Sequence, residues 1–294
     1  MVDFLKVYHQ MPYPLRVLAA SMRGFSLSRW RYSPETLRLA EQARERENWS
    51  QAQWEAWQSE RLGRLLHRAA VQVPYYAAQW SERRRRGDRA SWEYLENWPV
   101  LKKEPLRADP RAFVADDCDI RKMYPEHTSG TSGKPLSLWQ SRDTVRSWYA
   151  LVEARIRGWY GLTYRDRWAI LGGQLVAPVQ AGKPPFWVWN QGLNQLYLSS
   201  YHLSPQNARA YRDGLFRHRV TYLLGYASSL ESLARFFLEQ GLQAPPLKVV
   251  FNNAEPLYPH QRELIGQAFG CKVRDTYGMS EIVAAGSECP AGSL

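Results

Sequence analysis

The chain has 294 residues, enough for one large domain or two smaller ones, and enough to bury a core without staples. Hydrophobic residues make up 45% and charged residues 23%, which excludes disorder, collagen and coiled coil as descriptions of the whole chain. Lys plus Arg (39) exceeds Asp plus Glu (28), and this +11 balance points to an anionic partner or to an Arg-rich solvated surface. No RNP motif, zinc-finger spacing or basic zipper accompanies the charge, so no nucleic-acid partner is expected. Cys118, Cys271 and Cys289 are scattered and form no CxxC pair, which reads as a reducing compartment. Asp3, Lys6, His9, Arg16 and Arg23 interrupt the N-terminal stretch, so no apolar leader core forms. No apolar run is long enough to cross a bilayer, and the expectation is a cytoplasmic protein with no transmembrane segment.

In chain order, Ser33-Pro34-Glu35 reads as a helix start: a hydroxyl cap, Pro in the first turn and an acid at the positive helix end. The charged helix runs to about Asn48. Ser50 caps a second helix, in which Trp54, Trp57, Leu62, Leu65, Leu66 and Ala69 recur at helical spacing. Pro74 reads as its stop, and residues 81–91 as a charged loop. Ser141–Gly158 reads as a helix with Val145, Trp148, Tyr149, Val152 and Ile156 on one face. Trp168–Leu171 reads as a buried strand ending at Gly172-Gly173, and residues 173–200 show no period. Ser204-Pro205 opens a helix to about His218. Then come strand Val220–Leu224, helix Ser228–Gln240, strand Leu247–Phe251, helix Pro259–Phe269 and strand Cys271–Thr276. This alternation argues for an α/β fold of layered, mostly parallel sheet flanked by helices, behind a helical N-terminal segment. The expected organisation is a helical region over residues 1–110 packed on an α/β core over 111–294.

Three segments carry chemistry. In Thr128–Pro135, small residues let the backbone approach a ligand closely. Successive N–H groups and hydroxyls can donate to phosphate oxygens, and Lys134 adds a point charge. A P-loop would need Gly at 128 and Ser or Thr at 135, where Thr128 and Pro135 stand. Alone, the segment reads equally as a Ser/Gly surface turn. Asn252–Leu257 follows a strand directly, where open α/β sheets hold ligands; taken alone it reads rather as a loop that caps the next helix. Asp275–Glu281 also follows a strand, and Glu281 is a candidate oxygen ligand for magnesium beside the alternative of a solvated turn acid.

Identity, order and spacing of these segments together resemble the adenylate-forming enzyme superfamily. Ser129–Pro135 matches its phosphate loop, Ala254-Glu255-Pro256 its central Ala-Glu-Pro, and Tyr277–Glu281 its Tyr-Gly-x-Ser/Thr-Glu. More narrowly the chain resembles the phenylacetate-CoA ligase-like family, including its branch from capsular and exopolysaccharide gene clusters. His67–Tyr76, Pro99–Glu104, Pro184–Asn190, Leu193–Ser204 and Gly225–Leu230 carry that resemblance.

The resemblance implies ATP-dependent activation of a carboxylic acid to an acyl-adenylate, then thioesterification to coenzyme A. It implies that Ser129, Gly130, Thr131, Ser132, Gly133 and Lys134 hold the β/γ-phosphates, and that Ala254, Glu255 and Pro256 line adenine. Asp275, Tyr277 and Gly278 would flank adenine and the carboxylate, and Ser280 would contact phosphate. Glu281 would bind Mg2+, and Lys134 and Glu281 carry the catalytic assignment. Tyr226, Ala227 and Ser228 fall at the acyl pocket. Ala227 stands where relatives have Pro, and Asn252-Asn253 where they have small residues.

Relatives continue past the position of Leu294 into a hinge and a C-terminal lid domain, so an N-terminal fragment without that lid is expected. The alternatives are a truncated, non-catalytic nucleotide-binding remnant, half of a split enzyme with a separate C-terminal partner, and acyl transfer to a non-CoA acceptor in polysaccharide biosynthesis. Peripheral membrane binding through the basic surface is a further alternative. Homodimers occur among the relatives. Cys271 and Cys289 are too few for the zinc site some relatives carry.

Overall fold

The structure is a computed structural model that describes residues 4–128 and 135–293. The chain divides into two compact units, one running Gln42–Val145, the other comprising the residues up to Glu41 and those from Arg146 onward. The elements in chain order are α1 (Phe4–Gln10), α2 (Tyr13–Arg31), α3 (Pro34–Glu45), α4 (Gln51–Gln72), α5 (Pro74–Arg85) and α6 (Lys103–Ala108). They continue with β1 (Tyr124–His127), β2 (Ser137–Gln140), α7 (Arg142–Leu151), β3 (Trp168–Gly172), β4 (Trp187–Asn190) and β5 (Gln195–Ser199). The last are α8 (Ala208–Arg217), β6 (Tyr222–Gly225), α9 (Ala227–Glu239), β7 (Val249–Asn252), α10 (Pro259–Phe269), β8 (Lys272–Arg274), β9 (Thr276–Tyr277) and β10 (Gly286–Ser287).

The caps read from the sequence are in place. Thr36 N donates to Ser33 Oγ (3.3 Å) at the start of α3. Ser50 and Gln53 form a reciprocal capping box on α4. Pro74 ends α4 but also starts α5 as its first residue, where the missing N–H costs nothing. The expected loop over 81–91 is therefore helical as far as Arg85. Arg83, Arg84 and Arg85 occupy the last turn of α5, where cations offset the negative helix end.

The unit Gln42–Val145 is held by aromatics. Trp80 is buried and edge-packed on Trp98 (5.4 Å) and Trp92 (6.3 Å), and Tyr75 stacks on Phe113 (4.3 Å). Here β1 and β2 pair antiparallel, with Tyr124 opposite Gln140 and His127 opposite Ser137.

The other unit is built on a six-stranded sheet of order β4-β5-β3-β6-β7-β8. All neighbours are parallel except β4 on β5. Helices cover both faces, so the strands are apolar throughout rather than alternating. On one face Ala169, Leu171, Leu196, Leu198, Leu223 and Val250 pack with Tyr211, Leu215, Leu230, Phe237 and Ile265. On the other, Tyr222, Val249 and Phe251 pack with Leu162, Tyr160 and Trp168. Beneath that face a buried pair, Glu153 and Arg157, is tied to Tyr222 Oη, which accepts from Arg157 Nε (2.7 Å). The Glu153 carboxylate also accepts from Tyr164 N (3.0 Å), so both buried charges are hydrogen-bonded.

Strands β4 and β5 lie in the stretch that showed no period. Nearly every residue of both is buried, which removes the alternation a strand is read from.

Candidate functional site

The parallel strands β6, β7 and β8 end side by side; β7 and β8 run into two of the three segments singled out for chemistry, and β6 into Tyr226–Ser228, where the resemblance puts the acyl pocket. This is the carboxyl edge of an open α/β sheet, where ligands of such folds sit. Tyr226-Ala227-Ser228 follows β6, Asn253–Pro256 follows β7, and Asp275 precedes the β9–β10 hairpin.

Side chains tie the three segments into one rim. Helix α9 begins with no side-chain cap of its own. Glu255 supplies one from the neighbouring strand end: its carboxylate accepts from Ser228 N (2.9 Å) and from Ser228 Oγ (3.0 Å). A carboxylate at a helix N-terminus satisfies orphan N–H groups and meets the positive end of the dipole. Asn252 is fully buried, and its Nδ2 donates to Glu255 O (2.6 Å) and to Asp275 Oδ1 (2.7 Å). Thr276 completes the link, donating from N to Asp275 Oδ1 (2.9 Å) and from Oγ1 to Asn252 O (2.7 Å). Ala254 stands between them in the left-handed region (φ 63°), a conformation that strains any residue with a Cβ. The turn is held by these surrounding bonds.

Behind Asp275 lies a second tier absent from the sequence reading. Glu288 is buried and accepts from Arg262 Nη1 (2.8 Å) and Nη2 (2.7 Å) and from Asp275 N (2.9 Å). Burial raises the Glu288 carboxyl, but the Arg262 fork and the Asp275 N–H outweigh it and hold it below the ordinary carboxylate range. β9 pairs antiparallel with β10, with Tyr277 opposite Gly286. The intervening loop presents Tyr277, Gly278 and Ser280 at the surface and Glu281 half-buried. Ile282 takes a left-handed turn there (φ 54°) and donates its N–H to Met279 O (3.0 Å).

Next to β6, the C-terminal end of β3 is lined by tyrosines. Tyr197 Oη sits over Gly172, so close that a Cβ on that residue would stand 2.4 Å from it. A Cβ on Gly173 would stand 3.8 Å from Tyr201 Oη and 3.8 Å from the Tyr226 ring. Tyr197 Oη also accepts from Gln174 N (3.2 Å), and burial, with Tyr226 and Tyr201 nearby, pushes its phenol up to about 12. The Gly172-Gly173 pair at a strand end was the available signal for this corner.

Protein CapK of Staphylococcus aureus is 22% identical to the chain over 276 residues, 94% of this chain and 60% of CapK. No protein-family model matches. The crystal structure of 2-hydroxyisobutyryl-CoA ligase in complex with 2-HIB-AMP and CoA in the thioesterification state superposes with a TM-score of 0.56 and 20% identity. That match covers 81% of this chain and 52% of the ligase. An open conformation of the same ligase, also with 2-HIB-AMP and CoA, gives 0.54 and 21% over 78% of this chain and 52% of the ligase. The chain has the fold of the adenylate-forming ligases. It spans about half the length of the solved ligase and 60% of CapK.

Within that adenylate-forming fold, the Ala254–Pro256, Tyr226–Ser228 and Asp275 assignments fall on the connected rim, and Tyr277, Gly278, Ser280 and Glu281 lie on the β9–β10 hairpin that follows it. Ser129, Gly130, Thr131, Ser132, Gly133 and Lys134 lie between β1 and β2, outside the described residues.

The rim fits a nucleotide base. Asn253 Oδ1 is buried without a hydrogen-bond partner, an acceptor that an exocyclic amino group would satisfy. Ala254 and Pro256 beside it are exposed. Among the described residues no three His, Cys, Asp or Glu side chains gather for a metal. A lone carboxylate at Glu281 fits a magnesium ion that takes its other ligands from phosphate and water. Burial pushes the Cys271 thiol up to about 11.

Proposed function

We propose that the chain activates a carboxylic acid with ATP, forming an acyl-adenylate and releasing pyrophosphate, and that the acyl group then passes to coenzyme A. The observation that carries this reading is the rim itself. Two of the three motifs, together with Tyr226–Ser228, meet at one strand edge through Glu255–Ser228 and Asn252–Asp275, in the fold of ligases solved with an acyl-AMP and CoA.

The chemistry needs few reactive groups. The substrate carboxylate oxygen attacks the α-phosphorus, the bond to the bridging oxygen breaks, and pyrophosphate leaves with its electron pair. A thiol then attacks the acyl carbon, and AMP leaves. Positioning and charge neutralisation supply the acceleration. Ala254–Pro256 hold the base, with the Asn253 acceptor toward its amino group. Asp275, Tyr277 and Gly278 orient the nucleotide against the carboxylate. Ser129–Lys134 and Ser280 hold the phosphates, and Lys134 neutralises the departing charge. Magnesium held at Glu281 would offset phosphate charge. Tyr226, Ala227 and Ser228 open the acyl pocket, beside the Tyr197 and Tyr201 hydroxyls.

Isotope exchange between pyrophosphate and ATP, run over a panel of acids, tests the first step. We expect acid-dependent exchange that falls roughly a hundredfold in Lys134→Ala, the size of effect that follows loss of one charge-stabilising group. An ATP-dependent rise in melting temperature without exchange would instead make the chain a non-catalytic nucleotide binder. Neither exchange nor a thermal shift would sink both readings. Thiol consumption, measured with coenzyme A and with a sugar acceptor, separates a CoA ligase from a transferase.

A further inference from the structure

Helix α2 is built inside out. Its inner face carries Arg16, Ser21 and Gly24, all buried, with Val17 and Ala20 half-buried beside them. That face is seated by polar bonds: Arg16 Nη1 donates to Val176 O (3.0 Å), and Gln191 N donates to Ser21 Oγ (3.1 Å). The outer face carries Leu15, Leu18, Met22 and Phe25, at the spacing of one helical stripe. They are 50%, 56%, 65% and 52% exposed. Leu5 and Val7 of α1 are exposed as well. A surface helix of a globular protein normally turns these faces the other way. A contiguous apolar stripe of this length marks a surface that something covers.

Charge identifies the partner. From Phe4 to Arg31 the sequence holds Lys6, Arg16, Arg23, Arg29 and Arg31 and no Asp or Glu. Arg23 and Arg29 are both exposed; by helical spacing Arg29 falls within the stripe and Arg23 flanks it. A second copy paired through this stripe would set two cationic segments side by side, with no acid in either segment to neutralise them. An anionic lipid surface meets both requirements at once. It takes the apolar side chains at the acyl boundary and the guanidinium groups among its phosphates.

We propose that α2 docks the protein on anionic lipid surfaces, with Leu15, Leu18, Met22 and Phe25 as the inserting stripe and Arg23 and Arg29 as phosphate contacts. The docking is interfacial, because no helix among the described residues is long and apolar enough to cross a membrane. Flotation of the full chain with vesicles tests this, using phosphatidylcholine alone and an equimolar mixture with phosphatidylglycerol. We expect binding to the anionic vesicles that weakens as salt is raised. The double variant Leu18→Gln/Met22→Gln lowers that binding by roughly tenfold or more. Arg23→Glu/Arg29→Glu removes the preference for phosphatidylglycerol. All four positions are exposed, so an unchanged melting temperature separates lost docking from lost fold. No binding to anionic vesicles, or binding equal in the wild type and both variants, overturns the proposal. A concentration-dependent dimer that Leu18→Gln/Met22→Gln dissociates, in a chain that ignores vesicles, assigns the stripe to a second copy and overturns it too.

Discussion

Glu255 does two jobs at one carboxylate. It lies in the motif expected to line a base, and its oxygens serve Ser228 N and Oγ at the start of α9. The second job predicts a stability effect that a purely ligand-contacting residue would lack. Glu255→Ala removes the cap of α9 and should cost about 1 kcal/mol. Glu255→Gln keeps an acceptor oxygen and should retain most of that. Urea unfolding, read as a shift in midpoint at constant slope, checks it; an alanine variant as stable as the wild type would show that the cap contributes nothing. The residue type was legible in the sequence as part of Ala-Glu-Pro, but the cap was not. Ser228 lies 27 positions earlier, and nothing in local spacing links the two before the sheet sets their strands side by side. The same holds for Glu288, which steadies Asp275 from 13 positions away.

Elements were legible where one physical signal dominated. Ser50 announced α4, and the alternation of strand and helix after residue 165 announced the parallel sheet. Strands β4 and β5 were hidden by their burial on both faces, and α5 by a Pro that ends one helix while starting another. Helix α2 falls in the region expected to be helical, but the direction of its stripe was hidden: the apolar side chains face outward, and the inner face includes an arginine. Its seat depends on two glycines at the crossing with the turn after β4. A Cβ on Gly192 would stand 2.2 Å from Phe25 N and 2.4 Å from Gly24 C. Those atoms are backbone and cannot swing aside, so Gly192→Ala must push α2 off the sheet edge. We expect a loss of about 2–3 kcal/mol, at the upper end of overpacking costs. Gly63→Ala on α4, where nothing stands within 4 Å, is the control and should be neutral or slightly stabilising. Equal melting temperatures for the two variants would mean that α2 is not held by this contact.

At the scale of the whole molecule, the +11 charge leaves open which groups set the response to pH, and His218 answers part of that. It sits just past α8, where its N–H caps Gly214 O (3.1 Å), and its ring stacks on Trp189 (4.8 Å). A helix C-terminus favours an imidazolium. Burial opposes it, and so do Arg217 and Arg167; together these win and bring His218 down to about 4 from its ordinary 6.5. The folded protein therefore holds this ring neutral while the unfolded chain protonates it. Below pH 6.5 the unfolded state binds the extra proton, so stability falls with acid until about pH 4, where the folded ring also titrates. The ring is only part-buried, so solvent screening keeps the loss on the order of 1 kcal/mol, well under what the full shift would give in a dry site. The window is separable from the carboxylates. Glu231 and Glu288 are held below their ordinary 4.5, so their stabilisation is lost only at lower pH. Melting temperature measured from pH 7 to pH 4.5 should decline in the wild type and flatten in His218→Gln, which cannot take up the proton. A slope unchanged by that substitution would place the acid sensitivity elsewhere, because the proton uptake that drives the decline would not be at His218.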